Sequence, residues 1–242
     1  MLATIQSEFL KVKHSKVFIL TLLGGLISPL LMLMGILIDS GLITDFSRLF
    51  DAVNEYSLLL SGLLIFGLLI SYLFIREYEE HTIKTIIPIP VSRTKFLIGK
   101  FATFTICMVL ISLITFAGTL FMGVFLGFRG LTVNVLLTGL YQYLVGGILL
   151  SLSLSPVVLA AVIFKHLVPT VICTIVIAFS NVLAFSSNYI ALSPWAAPYF
   201  LALGNIATFG YGTILPILMI LGTFLVGFLL NWIYFTQRDI GL

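Results

Sequence analysis

Three stretches of this chain, residues 101–128, 130–164 and 166–237, contain no Asp, Glu, Lys or Arg. No water-soluble fold can be built from such runs, because every surface they exposed would be apolar. Soluble domains carry about 25% charged residues, whereas this chain carries 9% and is 60% hydrophobic. A bilayer core of about 30 Å takes roughly 20 apolar residues as a helix, and in lipid each backbone N–H and C=O must find its partner within the protein. The alternation required of a membrane β-barrel is missing from these runs. The expected class is therefore an all-α polytopic membrane protein.

Six spans are expected, at about Val17–Ile38, Tyr56–Ile75, Phe96–Phe125, Val135–Phe164, Leu167–Ser186 and Gly212–Phe235. The fourth carries Pro156 behind Ser151, Ser153 and Ser155, and proline removes a backbone bond and clashes with the preceding turn, so a kink is expected there. The first run follows Lys11, Lys13 and Lys16 but lacks a small-residue cleavage site, so it reads as a span and not as a cleavable leader. With a cytoplasmic N-terminus, the inner side holds Lys11, Lys13, Lys16, Arg76, Lys84, Arg93, Lys95, Lys100, Lys165 and Arg238, and the outer side holds only Arg48 and Arg129. That asymmetry places both termini in the cytoplasm. Asp39, Asp45, Asp51 and Glu55 fall in the first outer loop of this arrangement.

Two segments are expected to lie beside the membrane. In residues 1–15, Leu2, Ile5, Phe9 and Val12 share one helical face, the pattern of an interfacial amphipathic helix; the alternative is a frayed polar leader. Residues 187–211 are too apolar for an ordinary loop and are broken by Pro194 and Pro198, while Trp195, Tyr199 and Tyr211 suit the headgroup layer. They read as short helices dipping back into the outer leaflet before the last span.

The spans as assigned hold no Asp, Glu, Lys or Arg beyond their ends, so nothing marks an ion relay. A phosphate-binding P-loop is absent: the Gly99-Lys100 pair is followed by Phe101. His14, His81 and His166 are far apart, and Cys107 and Cys173 sit within apolar runs without metal-ligand spacing. No catalytic residue, metal site or cofactor of the chain's own is expected, and dispersed positive charge gives no nucleic-acid surface. If something is moved uphill, the energy must arrive through a partner.

The main polar surface is the stretch from Arg76 to Lys100, REYEEHTIKTIIPIPVSRTKFLIGK. Glu77, Glu79 and Glu80 can occupy the first turns of a short helix, where its dipole favours acids. Ile83, Ile86 and Ile87 then form an apolar patch, and Pro88 and Pro90 stop the helix. Such a loop could simply rest on headgroups, but clustered acids repel anionic lipid, and an acidic start with an isoleucine patch suits a groove on a soluble protein.

The run E-x-E-x-x-T-I-K followed by P-V-S-R-x-K-F-x-x-G-K resembles the loop after the second span of ABC-2-type transporter permeases, through Glu77, Glu79, Thr82, Ile83, Lys84, Pro90, Val91, Ser92, Arg93, Lys95, Phe96, Gly99 and Lys100. The opening S-E-F-L-K-V-K, Ser7 to Lys13, is similar to the compact permeases of bacitracin-resistance and lantibiotic-immunity exporters. The resemblance implies a single transmembrane permease domain over 1–242, with an interfacial helix at 1–15, a cytoplasmic coupling helix within 76–95 and a re-entrant extracellular segment at 187–211. It implies that Glu77, Glu79, Glu80, Thr82, Ile83, Lys84, Ile86 and Ile87 dock on a separate ATPase that carries the ATP and Mg. It also implies two ATPases with two permease chains, identical or paralogous, in a bacterial cell membrane. The expected activity is export of an amphipathic substrate, a peptide antibiotic of the bacitracin or lantibiotic type; a lipid or lipid-linked glycan, or an ATP-independent channel or flippase, are the alternatives. Ser151, Ser153 and Asn181 would line a weakly polar path. Pro194, Trp195 and Pro198 would gate it, unless Trp195 is only an interfacial anchor.

Overall fold

The computed structural model describes residues 2–13, 15–38, 43, 45–79 and 93–237, apart from the side chains of 2–5, 13, 77–79, 93 and 237. Among them the fold is helical, and six helical stretches are long and apolar enough to cross a bilayer: Lys16–Ile38, Phe46–Arg76, Thr94–Phe125, Val133–Ser153, Leu167–Ala184 and Ile214–Thr236. In chain order the helices are α1 (Leu2–Lys13), α2 (Lys16–Gly24), α3 (Ile27–Ile38), α4 (Phe46–Tyr56), α5 (Gly62–Glu79), α6 (Arg93–Phe125), α7 (Val133–Ser153), α8 (Ser155–Phe164), α9 (Leu167–Ala184), α10 (Ala197–Leu203) and α11 (Ile214–Gln237). Short 3-10 turns at Ile190–Leu192 and Asn205–Phe209 flank α10.

Lipid is as apolar as leucine, so spans associate through close packing and polar stitches and not through expulsion of water. Three spans depart from regular helix, and each departure is stitched to a neighbour. The first breaks at Gly25, whose carbonyl accepts a hydrogen bond from Thr115 Oγ1 of α6 at 2.8 Å. The second passes through a π turn at Ser57–Ser61, where Ser61 Oγ meets Ser28 Oγ at 2.5 Å. The fourth breaks at Leu154, ahead of Pro156, dividing α7 from α8. Asn231 Nδ2 of α11 donates to the Ser155 carbonyl at 3.0 Å, and Gly227 is needed opposite, because a Cβ there would lie 2.9 Å from Pro156 N.

The second span differs from the sequence expectation. The sequence bounds it at Tyr56, with an acidic loop before it. In the fold, α4 prolongs it by three turns, so that Arg48, Asp51 and Glu55 belong to one helical stretch, Phe46–Arg76. At 1.5 Å per residue its 31 residues reach about 46 Å, well beyond a hydrocarbon core. The cause is the spacing of Phe46, Leu49, Phe50 and Val53, which puts four buried side chains on one stripe. They nucleate a second apolar cluster with Met32, Ile36, Phe116 and Tyr143, where Phe50 stacks on Phe116 at 5.2 Å. The larger cluster fills the rest of the bundle, from Val12 and Phe18 to Phe200 and Ile206.

Candidate functional site

The two helices that frame the Arg76–Lys100 stretch are held together by α1. Lys100, in the second turn of α6, is buried, and its Nζ lies 3.4 Å from Glu8 Oε2 of α1. Its Nζ also donates to the Leu73 carbonyl of α5. Glu8 Oε1 takes Lys11 Nζ at 2.6 Å. Arg76 at the end of α5 donates from Nη1 to the Lys11 carbonyl at 3.2 Å and to Tyr72 Oη. Burial of Glu8 pushes its carboxyl up, but the ammonium groups of Lys100 and Lys11 outweigh this and hold it below the ordinary 4.5. Helices α5 and α6 are therefore both tied to α1, α6 through the buried Glu8 carboxylate and α5 through the Lys11 carbonyl.

Of the residues proposed for partner docking, Glu77 and Glu79 close α5, while Glu80, Thr82, Ile83, Lys84, Ile86 and Ile87 lie outside the described residues, as does Pro90. Arg93, Lys95 and Gly99 lie in the first turns of α6 with Lys100. Those turns lean on the last span: Trp232 Nε1 donates to Thr94 Oγ1 at 3.1 Å, and Phe96 stacks on Phe235 at 5.9 Å.

Beside this junction a groove of about 640 Å³ runs between the first and second spans. Leu20, Gly24, Ile65 and Leu68 line it; Thr21, Ser71, Tyr72 and Arg76 supply its polar groups. Leu20 is 66% and Leu23 56% exposed on its rim, inside a stretch apolar enough to cross a bilayer.

The proposed path residues gather elsewhere. Ser151 and Ser153 are buried in α7, donating to the Ile148 and Leu149 carbonyls. Trp195 Nε1 donates to the Ser153 carbonyl at 3.1 Å, just before the break at Leu154. Pro198 is buried in the first turn of α10, the position at which proline costs no helical bond; Pro194 precedes Trp195 in the turn leading there. Asn181 is set apart from that group: it is buried in α9, with Nδ2 3.5 Å from the Leu59 carbonyl of the π turn. The structure thus brings Ser153 and Trp195 to one helix break, with Pro198 three residues on in α10, and Asn181 onto another. The signal for the Glu8–Lys100 pair was absent from local sequence, since its members are 92 positions apart (100 − 8). Among the described residues no three His, Cys, Asp or Glu come together as a metal site.

Residues 4–181 match the family described as ABC-2 family transporter protein. The chain belongs to the ABC-2 transporter family. Within that family it is similar to the bacitracin transport permease protein BCRB of Bacillus licheniformis, 35% identical over 195 residues that cover 81% of this chain and 93% of that protein. No solved structure matches it. An ABC-2 permease is the membrane-spanning part of a transporter, and the six long apolar helices accord with a multi-pass membrane protein.

Proposed function

We propose that this chain is the permease subunit of an ATP-driven exporter whose cargo is an amphipathic peptide antibiotic. The observation that carries the reading is the similarity to a bacitracin transport permease over nearly that protein's whole length. Energy enters through a separate ATPase, which holds the ATP and Mg and docks on the loop between Arg76 and Lys100. Two such ATPases serve two permease chains, identical or paralogous, with the cargo path between the chains. The membrane is the bacterial cell membrane, with the basic end of the bundle and both termini in the cytoplasm. The joining of α5, α6 and α1 through Arg76, Lys100 and Glu8 supports this, because a force on the docking stretch would reach three elements at once. Uncharged serine and asparagine side chains at the helix breaks suit a guest that is neither a hydrated ion nor a pure hydrocarbon.

The groove between the first two spans favours a second reading, in which the cargo is a lipid or lipid-linked glycan, since its exposed rim is apolar and suits an acyl chain. The primary test is Ile83→Asp, which puts a charge into the proposed desolvated contact at a cost of several kcal/mol if unpaired. Loss of the co-purifying ATPase, and of protection of cells against the peptide, is expected with membrane insertion unchanged. Retention of both would refute the docking role.

A further inference from the structure

At the end of the bundle away from Glu8, the prolonged second span encloses a small polar pocket of about 170 Å³ against α7. Asp51 of α4 lines it, with Ser47 from the same helix and Asn134, Thr138 and Gln142 from α7; Phe50 supplies an apolar wall. Asp51 is half-buried and lines the pocket together with Gln142, which is itself 8% exposed. Among the described residues Asp51 makes no ion pair. One turn on, Glu55 Oε2 takes the Tyr199 hydroxyl at 3.1 Å, so the second carboxylate has a neutral partner. The pocket thus combines one negative charge with several neutral oxygen acceptors and lacks a cation.

We propose that this pocket binds a primary ammonium group carried on a short alkyl stem, as at the end of a lysine-type side chain. An ammonium has three donors and no acceptor. Asp51, with the amide and hydroxyl oxygens of Gln142, Asn134, Thr138 and Ser47, can take all three, while Phe50 accommodates the methylenes. Calcium takes 6–8 oxygens, commonly with several carboxylates, and one carboxylate lines this pocket. The volume falls below the ~300–1,000 Å³ of sites that enclose a drug-sized molecule, so it holds a head group and leaves the rest of the ligand outside. The inference concerns binding alone and stands whether or not the chain exports peptides.

The test uses the full chain in phosphatidylcholine nanodiscs and calorimetric titration. The probes are a short amphipathic peptide with one lysine and the same peptide with that lysine acetylated. The parent is expected to bind the free-lysine peptide at least tenfold more tightly; Asp51→Asn is expected to remove the difference and Asp51→Glu to retain it. Thr138→Leu, at an exposed position on the rim, should narrow the pocket and remove the preference with the carboxylate in place, and it decides the matter if Asp51→Asn does not assemble. Equal binding of both peptides by the parent, or a difference that survives in Asp51→Asn, overturns the assignment. So does displacement of the lysine peptide by micromolar calcium, which would mark a divalent-ion site.

Discussion

Glu8 is a buried acid, and its role follows from the company it keeps. Its carboxylate is shared by Lys100 and Lys11, and the buried Lys100 is further held by the Leu73 carbonyl. Removing one member of a buried pair costs about 3–5 kcal/mol, because the other is left uncompensated. Glu8→Gln is therefore expected to lower the thermal midpoint in detergent markedly, and Glu8→Gln with Lys100→Met to recover most of the loss. A double variant no better than the single would mean that the pair does not matter. The carboxyl is held below its ordinary 4.5, so its contribution is fully present above that pH and disappears as pH falls through the lower folded-state value. Melts of the parent should weaken in that acid window, and melts of Glu8→Gln should not show this component. Reading the sequence placed Val12 on an apolar face, which the fold buries. It had no means of pairing Glu8 with a lysine two spans away, because periodicity reports faces and not distant partners.

Elements in this fold are defined as much by their breaks as by their runs. Long apolar composition located six spans, because that property is additive along the chain. It misplaced the start of the second, because Arg48, Asp51 and Glu55 read as loop when counted by charge. The i, i+3, i+4, i+7 spacing of Phe46, Leu49, Phe50 and Val53 was the signal that outweighed them. The break at Leu154 has consequences of its own: α7 ends there, and Trp195 Nε1 bonds the Ser153 carbonyl, joining the 187–211 segment to that site. Pro194 and Pro198 bracket that indole. Replacing both with Ala restores two backbone donors and should shift Trp195, lowering transport while expression and ATPase binding persist. Trp195→Phe fills the same space without the N–H donor; an interfacial anchor would tolerate it. If cells carrying the double alanine variant withstand the peptide as well as the parent does, the segment is a structural cap and not a gate.

For the whole molecule, the basic residues divide into two groups, with Lys11, Arg76 and Lys100 at one end and Arg129, hydrogen-bonded through its carbonyl to Phe46 N, at the other. If the first group is cytoplasmic, cysteines introduced at Asp45 and Ser187 should react with an impermeant thiol reagent added outside intact cells, and one at Thr85 should not. The reverse pattern would turn the bundle over and put the proposed docking residues on the wrong side of the membrane. The all-helical class and family membership were legible from composition and from the run between Glu77 and Lys100. The Asp51 pocket was not, because its walls come from two helices whose packing depends on the unanticipated length of the second span.

The pairing of Glu8 with Lys100 also sets an order of events during synthesis. At about 5–20 residues per second, the 92 positions between them separate their emergence by roughly 5–20 s. The first two spans can be in the bilayer by then, while Glu8 still lacks Lys100, the buried one of its two lysine partners. Until α6 arrives, α1 has its own Lys11 and the bond from Arg76 of α5, but not the contact of Glu8 with Lys100. Assembly of this end is therefore completed late, when the third span brings Lys100 to Glu8.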